Sequence, residues 1–433
     1  MSVWRLISLM TSLIGARVLG AAFGFMAQLI LARTFPRDDV GVVFLAMSAT
    51  VFLSLVMTGG YPALGVTTLA RYQTLGRKSL VNGFLSAALK DSLVLSIVVV
   101  AILAAVLTLM PLSSGISTAL LVGCIAAPAY AVMRLNNTAA NSLRKFGLSY
   151  VPDFVIRPAL LFLFILLMLA IYPAFRVSHV LWAFVAITFS VTLLQAYYMR
   201  AESAFDGLGH KVHRRLARVY RSQALSLLII ALVTLTFADI VTLISGFFLH
   251  EADIAVLGVS IRLAALVGFV TQSSQQFVMR DLTAAMARGD RRGVDQLLLK
   301  TNALALGAMA LALLGAALFG DRVLGLFGAD YKAGHWALVL FLVSQTLRAA
   351  SGMNAHLLSL GGHHIRSASL CFVSVAILVA GIAVLAPRYG VFGVAVATVA
   401  AEIVWAISLA ILVQRLTGRR GDILAVVRAG KPL

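Results

Sequence analysis

Residues 35–48 read FPRDDVGVVFLAMS, and residues 248–261 read FLHEADIAVLGVSI. Each opens on an aromatic, passes a short charged turn and enters an apolar run, and the two lie 213 residues apart, from Phe35 to Phe248. The same offset lays YQTLGRKSLVNGFL, from Tyr72, on AMARGDRRGVDQLL, from Ala285, so that Gly76 meets Gly289. A further patch, ANSLRKFGLS from Ala140 against AHLLSLGGHH from Ala355, fits at an offset of 215. A period close to half of the 433 residues marks a duplicated unit.

Hydropathy says what each unit contains. Hydrophobic residues make up 61% of the chain and charged ones 12%, against roughly 45–50% and about 25% in a soluble domain, which excludes a soluble enzyme. Apolar runs fall at roughly 9–32, 40–64, 82–109, 116–141, 149–171, 179–199, 223–248, 253–278, 297–319, 335–358, 367–386 and 391–414. Each is near the ~20 residues that a helix needs to cross hydrocarbon. The sequence therefore predicts an all-α polytopic membrane protein, with about 12 transmembrane helices in two pseudo-symmetric six-helix lobes around a central cleft. The expected parts are an N-terminal lobe at 1–200, a basic cytoplasmic connector at 201–222, a C-terminal lobe at 223–416 and a cytoplasmic tail at 417–433. Six is even, so the lobes share an orientation about an axis along the membrane normal. Pro62, Pro128 and Pro158 fall within spans, where neighbouring groups must satisfy the freed carbonyls. The first run carries Arg17 at its middle and continues to about residue 32, so it reads as a retained helix, not a cleaved leader.

Lys and Arg total 35 against 16 Asp and Glu, a net charge of +19. In a soluble protein this would suggest nucleic acid; here topology explains it, and no nucleic-acid partner is expected. Of the 35 basic residues, 23 fall on the termini and the even-numbered loops and six on the opposite loops. Both termini are therefore expected on the cytoplasmic side. Trp182 and Trp336 begin spans at the expected outer interface, as an aromatic belt would. In the connector, Lys211, Arg214, Arg218 and Arg221 form one helical stripe suited to anionic headgroups.

Ionisable groups at membrane depth are costly and mark function. The embedded bases are Arg17, Lys90, Arg134, Arg157, Arg262 and Arg348; the embedded acids are Asp91, Asp153, Asp239 and Glu402. Asp153 and Arg157 stand four apart with the acid first, the favourable order for an intrahelical pair. Adjacent helical residues point about 100° apart, so Lys90 and Asp91 each need a partner elsewhere. Arg134, followed by Asn137 and Asn141, either lines a polar face or snorkels to the cytoplasmic interface. Arg17, Gly20, Gly24 and Gln28 follow one face of the first span, which reads as cavity lining or as close helix packing. Arg262 precedes TQSSQQ, residues 271–276, where Gln272, Ser273 and Gln276 place amides and a hydroxyl at membrane depth. Ser344, Arg348 and Ser351 make another polar face. Arginine is a fixed cation whose planar fork suits phosphate and carboxylate, so several in a wet cleft imply an anionic ligand. Asp239, amid Thr234, Thr236 and Thr242, and Glu402 either bind and release a proton or cation or pair with an embedded arginine.

Enzyme signatures are absent. No loop is expected to exceed about 25 residues, and there is no P-loop or nucleophile motif. Cys124 and Cys371 lie in apolar runs without a CxxC spacing, and His363 and His364 share a short turn, so no metal or cofactor is expected. Transport driven by a proton or sodium gradient is the simpler expectation. The rival from another class, a membrane-embedded glycosyl or acyl transferase, would need a large loop bearing catalytic carboxylates or histidines.

Four strings carry a resemblance: ARVLGAAFGFMAQLILARTFPRDDVGVVFLA from Ala16, ADIVTLISGFFLHEADIAVLGVSIRLAAL from Ala238, VLGLFGADYKAG from Val323 and YGVFGVAVATVAAEIVW from Tyr389. In order and spacing they resemble the polysaccharide or O-antigen flippase family of the multidrug, oligosaccharidyl-lipid and polysaccharide exporter superfamily, over nearly the whole chain. The resemblance implies a bacterial inner-membrane protein that moves a polyprenyl-pyrophosphate-linked oligosaccharide outward by alternating access, beside polysaccharide polymerase machinery. Arg17 lies in an RVLG string similar to one in the lipid II flippases. Those relatives continue with a second Arg followed by Asp where this chain has Phe23 and Gly24, which counts against a peptidoglycan role. The related drug exporters would use an acid-lined cavity instead. On this reading Arg17, Gln28, Arg262, Gln272, Ser273, Gln276 and Arg348 contact the substrate, and Asp239 and Glu402 couple an ion.

Overall fold

The computed structural model describes residues 3–172, 174–201, 214–235, 237–287, 291–352, 354, 358 and 364–417. Among them every element is helical. Val3–Thr34 forms α1, Arg37–Met57 α2, Tyr61–Thr74 α3, Lys78–Leu109 α4, Ser114–Ser142 α5 and Phe146–Val151 α6. A π-turn, Pro152–Ile156, joins α6 to Arg157–Ile171, α7, and Val177–Ala201 is α8. Arg214–Leu235 is α9, Phe237–Gly246 α10, Glu251–Ala287 α11 and Arg291–Gly325 α12. After a 3-10 turn at Ala329–Gly334 come His335–Ala350, α13, and His364–Thr417, α14.

As one rod, the 54 residues of α14 would run about 80 Å, far beyond the ~30 Å of hydrocarbon. Gly390, at φ 56° and ψ −138°, divides it. Ser374 Oγ donates to Ala401 O at 3.0 Å, Gly381 lies against Ala397, and Gly393 lies against Leu385. These partners close on Gly390 from both sides, so the halves form an antiparallel hairpin, matching the spans expected at 367–386 and 391–414. Among the described residues seven helices are long and apolar enough to cross a membrane, or eight with α9 and α10 taken as one span bent by 72°. That count takes α14 once, and the expected span at 335–358 runs partly over residues outside the description. The protein is thus an all-helical, multi-pass membrane protein.

By internal contacts the chain divides into two compact units, Met1–Leu243 and Ile244–Leu433. Within the first unit α9 packs on α3, α2 and α4. Gly60, at φ 82°, ends the turn after α2 and approaches Ala224 of α9 so closely that a β-carbon would overlap its carbonyl. Tyr72 and Tyr220 share a hydroxyl hydrogen bond of 2.8 Å, and the Tyr220 ring meets Phe84 edge-on with centroids 5.0 Å apart. The span expected at 40–64 therefore stops at Met57, and Pro62 sits in the first turn of α3, where its missing N–H costs nothing.

At the centre of the first unit α2 packs on α5 through small residues. A β-carbon on Gly123 would lie 2.5 Å from that of Ala49, with Ala126 and Ala127 buried beside it. Such residues let backbones approach, and dispersion then supplies the adhesion that hydrocarbon solvent does not. The most apolar windows face outward: 11% of the α4 window and 11% of the α6–α7 window are buried, against 67% for α2. Trp182 and Trp336 are both exposed. In the second unit α11, α12, α13 and α14 pack together, with Gly334 fitted against Ser260 and Val256 of α11.

Candidate functional site

Each unit holds a cluster of embedded charge. In the first, Tyr130, Arg134 and Asn137 follow one face of α5 at helical spacing, opposite Asp153 on the π-turn and Arg157 at the start of α7. Arg157 Nη2 donates to Asp153 Oδ1 at 3.1 Å and to Tyr130 OH at 3.3 Å, while Tyr130 OH donates to Asp153 Oδ2 at 3.3 Å. The intrahelical pair read from the sequence is therefore formed. Both guanidinium groups lie against the Tyr130 ring, Arg157 at 4.4 Å from its centroid and Arg134 at 4.8 Å. Arg134 Nε also donates to Ser54 Oγ of α2 at 3.1 Å, and Ser54 is 0% exposed. Arg134 thus turns back toward the N-terminus of α5, away from the Ser142 end, and does not snorkel.

In the second unit Arg348 of α13 holds Glu402 of α14. Its Nε and Nη2 both donate to Glu402 Oε1, the first at 3.2 Å. Glu402 is 2% exposed, and its Oε2 is buried without a hydrogen-bond partner among the described residues. Ser344 and Ser351 are buried nearby in sequence. Arg262, half-buried on α11, donates to Gly258 O one turn back at 3.4 Å. Two turns on, Gly268 admits Gln345 of α13, whose Oε1 would lie 2.7 Å from a β-carbon there.

The remaining predicted residues are placed as follows. Arg17 lies on α1, and Gln272, Ser273 and Gln276 lie on α11, with their side chains outside the described residues. Gln28 is half-buried on α1. Gly20 on the same face is a helix contact, pressed on Phe154 O so that no β-carbon fits, and Gly24 faces Pro158. Asp239 is half-buried in the first turn of α10, where the helix dipole favours an acid. Thr234 lies on α9 with its side chain outside the described residues, and Thr236 falls outside the description, as do Lys211, most of the 201–222 connector, His363 and nearly all of the 417–433 tail. Among the predicted site residues, the two that the structure joins by a described contact are Arg348 and Glu402. No group of three His, Cys, Asp or Glu that could hold a metal ion occurs among the described residues.

Three features escaped the sequence reading. Asp91 finds its partner in Arg221, whose Nε and Nη2 donate to its two oxygens at 2.7 and 2.6 Å, and Tyr61 OH donates to it at 2.6 Å. The signal was present: Asp91 needed a partner beyond Lys90. Ser54 and Tyr130, the neutral partners of Arg134, carry no charge and gave none. Gln195 of α8, 2% exposed, donates to Leu148 O at 2.8 Å across the same region.

No family model and no curated protein matches the sequence. Solved structures match it over nearly its whole length. One is an inward-facing multidrug resistance transporter of the MATE family in the MOP superfamily, 15% identical, covering 93% of this chain and 98% of its own, with a TM-score of 0.68. Another is the lipid II flippase MurJ in an inward closed conformation, 14% identical, covering 93% and 87%, with a TM-score of 0.66. A third is a MOP-superfamily transporter from Pyrococcus furiosus described by the reverse polarity of its binding pocket, 15% identical over 93% and 94%, with a TM-score of 0.58. The fold is that of MOP-superfamily transporters and flippases.

Proposed function

We propose that this protein is a flippase. It moves a polyprenyl-pyrophosphate-linked oligosaccharide across the bacterial inner membrane, with both termini cytoplasmic, to supply O-antigen, capsule or exopolysaccharide synthesis and a polymerase beyond it. The observation that carries the reading is the sign of the buried charge. Around Tyr130 two guanidinium groups stand against one carboxylate, Asp153, which pairs with Arg157, and in the second unit Arg262 and Arg348 outnumber Glu402, the partner of Arg348. A cationic drug would be repelled by such surroundings, whereas pyrophosphate matches the guanidinium fork. The sugar and pyrophosphate cannot enter hydrocarbon unaided, but the polyprenyl tail can stay in it. Fold likeness to a lipid II flippase and to drug transporters supports transport as the activity; Phe23 and Gly24 favour a glycan other than lipid II.

Arg17, Gln28, Arg262, Gln272, Ser273, Gln276 and Arg348 are the proposed substrate contacts, and Asp239 and Glu402 the proposed ion sites, served by a proton or sodium gradient. Because Arg348 and Glu402 are bonded to each other, their two roles become one exchange: a proton taken up by Glu402 from one side releases Arg348 to an anion, and departure of the anion together with release of that proton to the other side returns the pair. The test is translocation of a fluorescent polyprenyl-pyrophosphate oligosaccharide in proteoliposomes, scored by protection from an external quencher. Movement above that of empty vesicles is expected. Uptake of a cationic dye without movement of the glycan lipid would replace this reading with drug export.

A further inference from the structure

We infer that the first unit contains an anion site of its own, centred on Arg134 and Arg157 beside the Tyr130 ring, that takes a phosphate or pyrophosphate group. It deepens the reading above, on which its physiological ligand rests, but none of its residues belongs to the proposed substrate contacts.

Three observations support it. The first is charge. Arg157 is matched by Asp153 at 3.1 Å, while Arg134 makes no ion pair among the described residues, its partners being the Ser54 hydroxyl and a π-face. One positive charge is therefore in excess at a depth of about 12 Å along α5 from Ser142, eight residues away. An unmatched guanidinium in such a setting is costly unless an anion or water completes it. The second is donor supply. Among the described residues Arg157 Nε is buried with no hydrogen-bond partner, and the two Nη groups of Arg134 make no hydrogen bond. The third is access and direction. Arg134 is half-buried, not enclosed, and it is aimed inward by Ser54 of α2, so its free donors are held in place instead of wandering to the interface. A helix face, a π-turn and a second helix thus hold two forks around one ring, and the chemistry left unsatisfied is that of an oxyanion.

The experiment measures thermal unfolding of the purified full-length protein in neutral detergent, titrated with inorganic pyrophosphate, with farnesyl pyrophosphate, or with sodium chloride at matched ionic strength. Pyrophosphate is expected to raise the melting temperature saturably where chloride does not, and Arg134→Gln to weaken the half-saturating concentration about tenfold or more. Ser54→Asp is the second variant. It supplies a carboxylate beside Arg134, so it should keep or raise the melting temperature without ligand and remove the response. Tighter binding of farnesyl pyrophosphate than of pyrophosphate assigns the site to a lipid headgroup, and equal binding assigns it to the free anion; both support it. An unchanged response in Arg134→Gln and in Ser54→Asp overturns it. Glycan translocation that persists undiminished in Arg134→Gln together with that unchanged response removes this site and leaves the flippase standing. A response lost in Arg134→Gln with no translocation by the native protein keeps the site and removes the flippase.

Discussion

Gly20 on α1 lies so close to the carbonyl of Phe154 that no β-carbon fits between them. The cause is Pro158, which has no N–H to offer the carbonyl four residues back and whose ring pushes that carbonyl aside. The π-turn at Pro152–Ile156 absorbs the disruption, and the displaced oxygen fills the notch that glycine leaves on α1. Gly24, one turn on, keeps Pro158 Cβ 4.0 Å from where its own β-carbon would be. Gly20→Ala should therefore destabilise the protein by about 1–3 kcal/mol through overpacking, while Gly24→Ala should be tolerated. Thermal unfolding in detergent separates the two; equal effects would mean that α1 does not rest on Phe154.

Glu402 is 2% exposed and is fixed to Arg348, whose side chain is 29% exposed, so taking away the arginine strands a buried carboxylate and taking away the acid leaves a half-buried cation unmatched. Arg348→Leu or Glu402→Leu alone is expected to cost about 3–5 kcal/mol, and the double variant much less than the sum, because an apolar pair of similar volume avoids desolvating two ions. The double-mutant cycle, read from melting temperatures, should give a large coupling energy. Additive losses would show that the contact contributes nothing.

Asp91 fastens α9 to the first unit. Arg221 is 61% exposed at its side chain, so Arg221→Ala should cost only about 1 kcal/mol. Asp91→Ala should cost more, about 1–3 kcal/mol, because it also deprives the hydroxyl of Tyr61, a residue 2% exposed, of its acceptor. Amide exchange along α9 should quicken in both variants, and more in the second. If it quickens only near Lys211, the pair does not anchor the helix.

What the sequence disclosed follows the range of the interactions. Membrane helices are local properties of composition, so the runs at 82–109, 116–141 and 391–414 reappear as α4, α5 and the second arm of α14. Asp153 and Arg157, one helical turn apart, were legible for the same reason. Asp91 and Arg221, 130 residues apart, were not, because nothing local says which distant cation answers a buried acid. The end of α2 at Met57 was hidden by hydropathy that continues through Gly59 and Gly60, where the turn is set by left-handed backbone and not by polarity. Arg134 was misjudged in one of its two readings because its direction is decided by a serine and a tyrosine, which a survey of charges passes over.

Asp239 offers the sharpest separation of a coupling role from a structural one. It lies in the first turn of α10, where an acid is favoured by the helix dipole whether or not it carries an ion. Asparagine is also well suited to a helix start, so Asp239→Asn removes the titratable group while keeping most of the local stability. In proteoliposomes loaded with a lipid-linked glycan, the native protein should accelerate translocation when a proton or sodium gradient is imposed. Asp239→Asn should retain the slow movement seen without a gradient and lose the acceleration, with a melting temperature within a few degrees of native. A variant that melts early yet still responds to the gradient would place Asp239 among the residues that start a helix and outside the coupling mechanism, leaving Glu402 as the carboxylate to test by the same means.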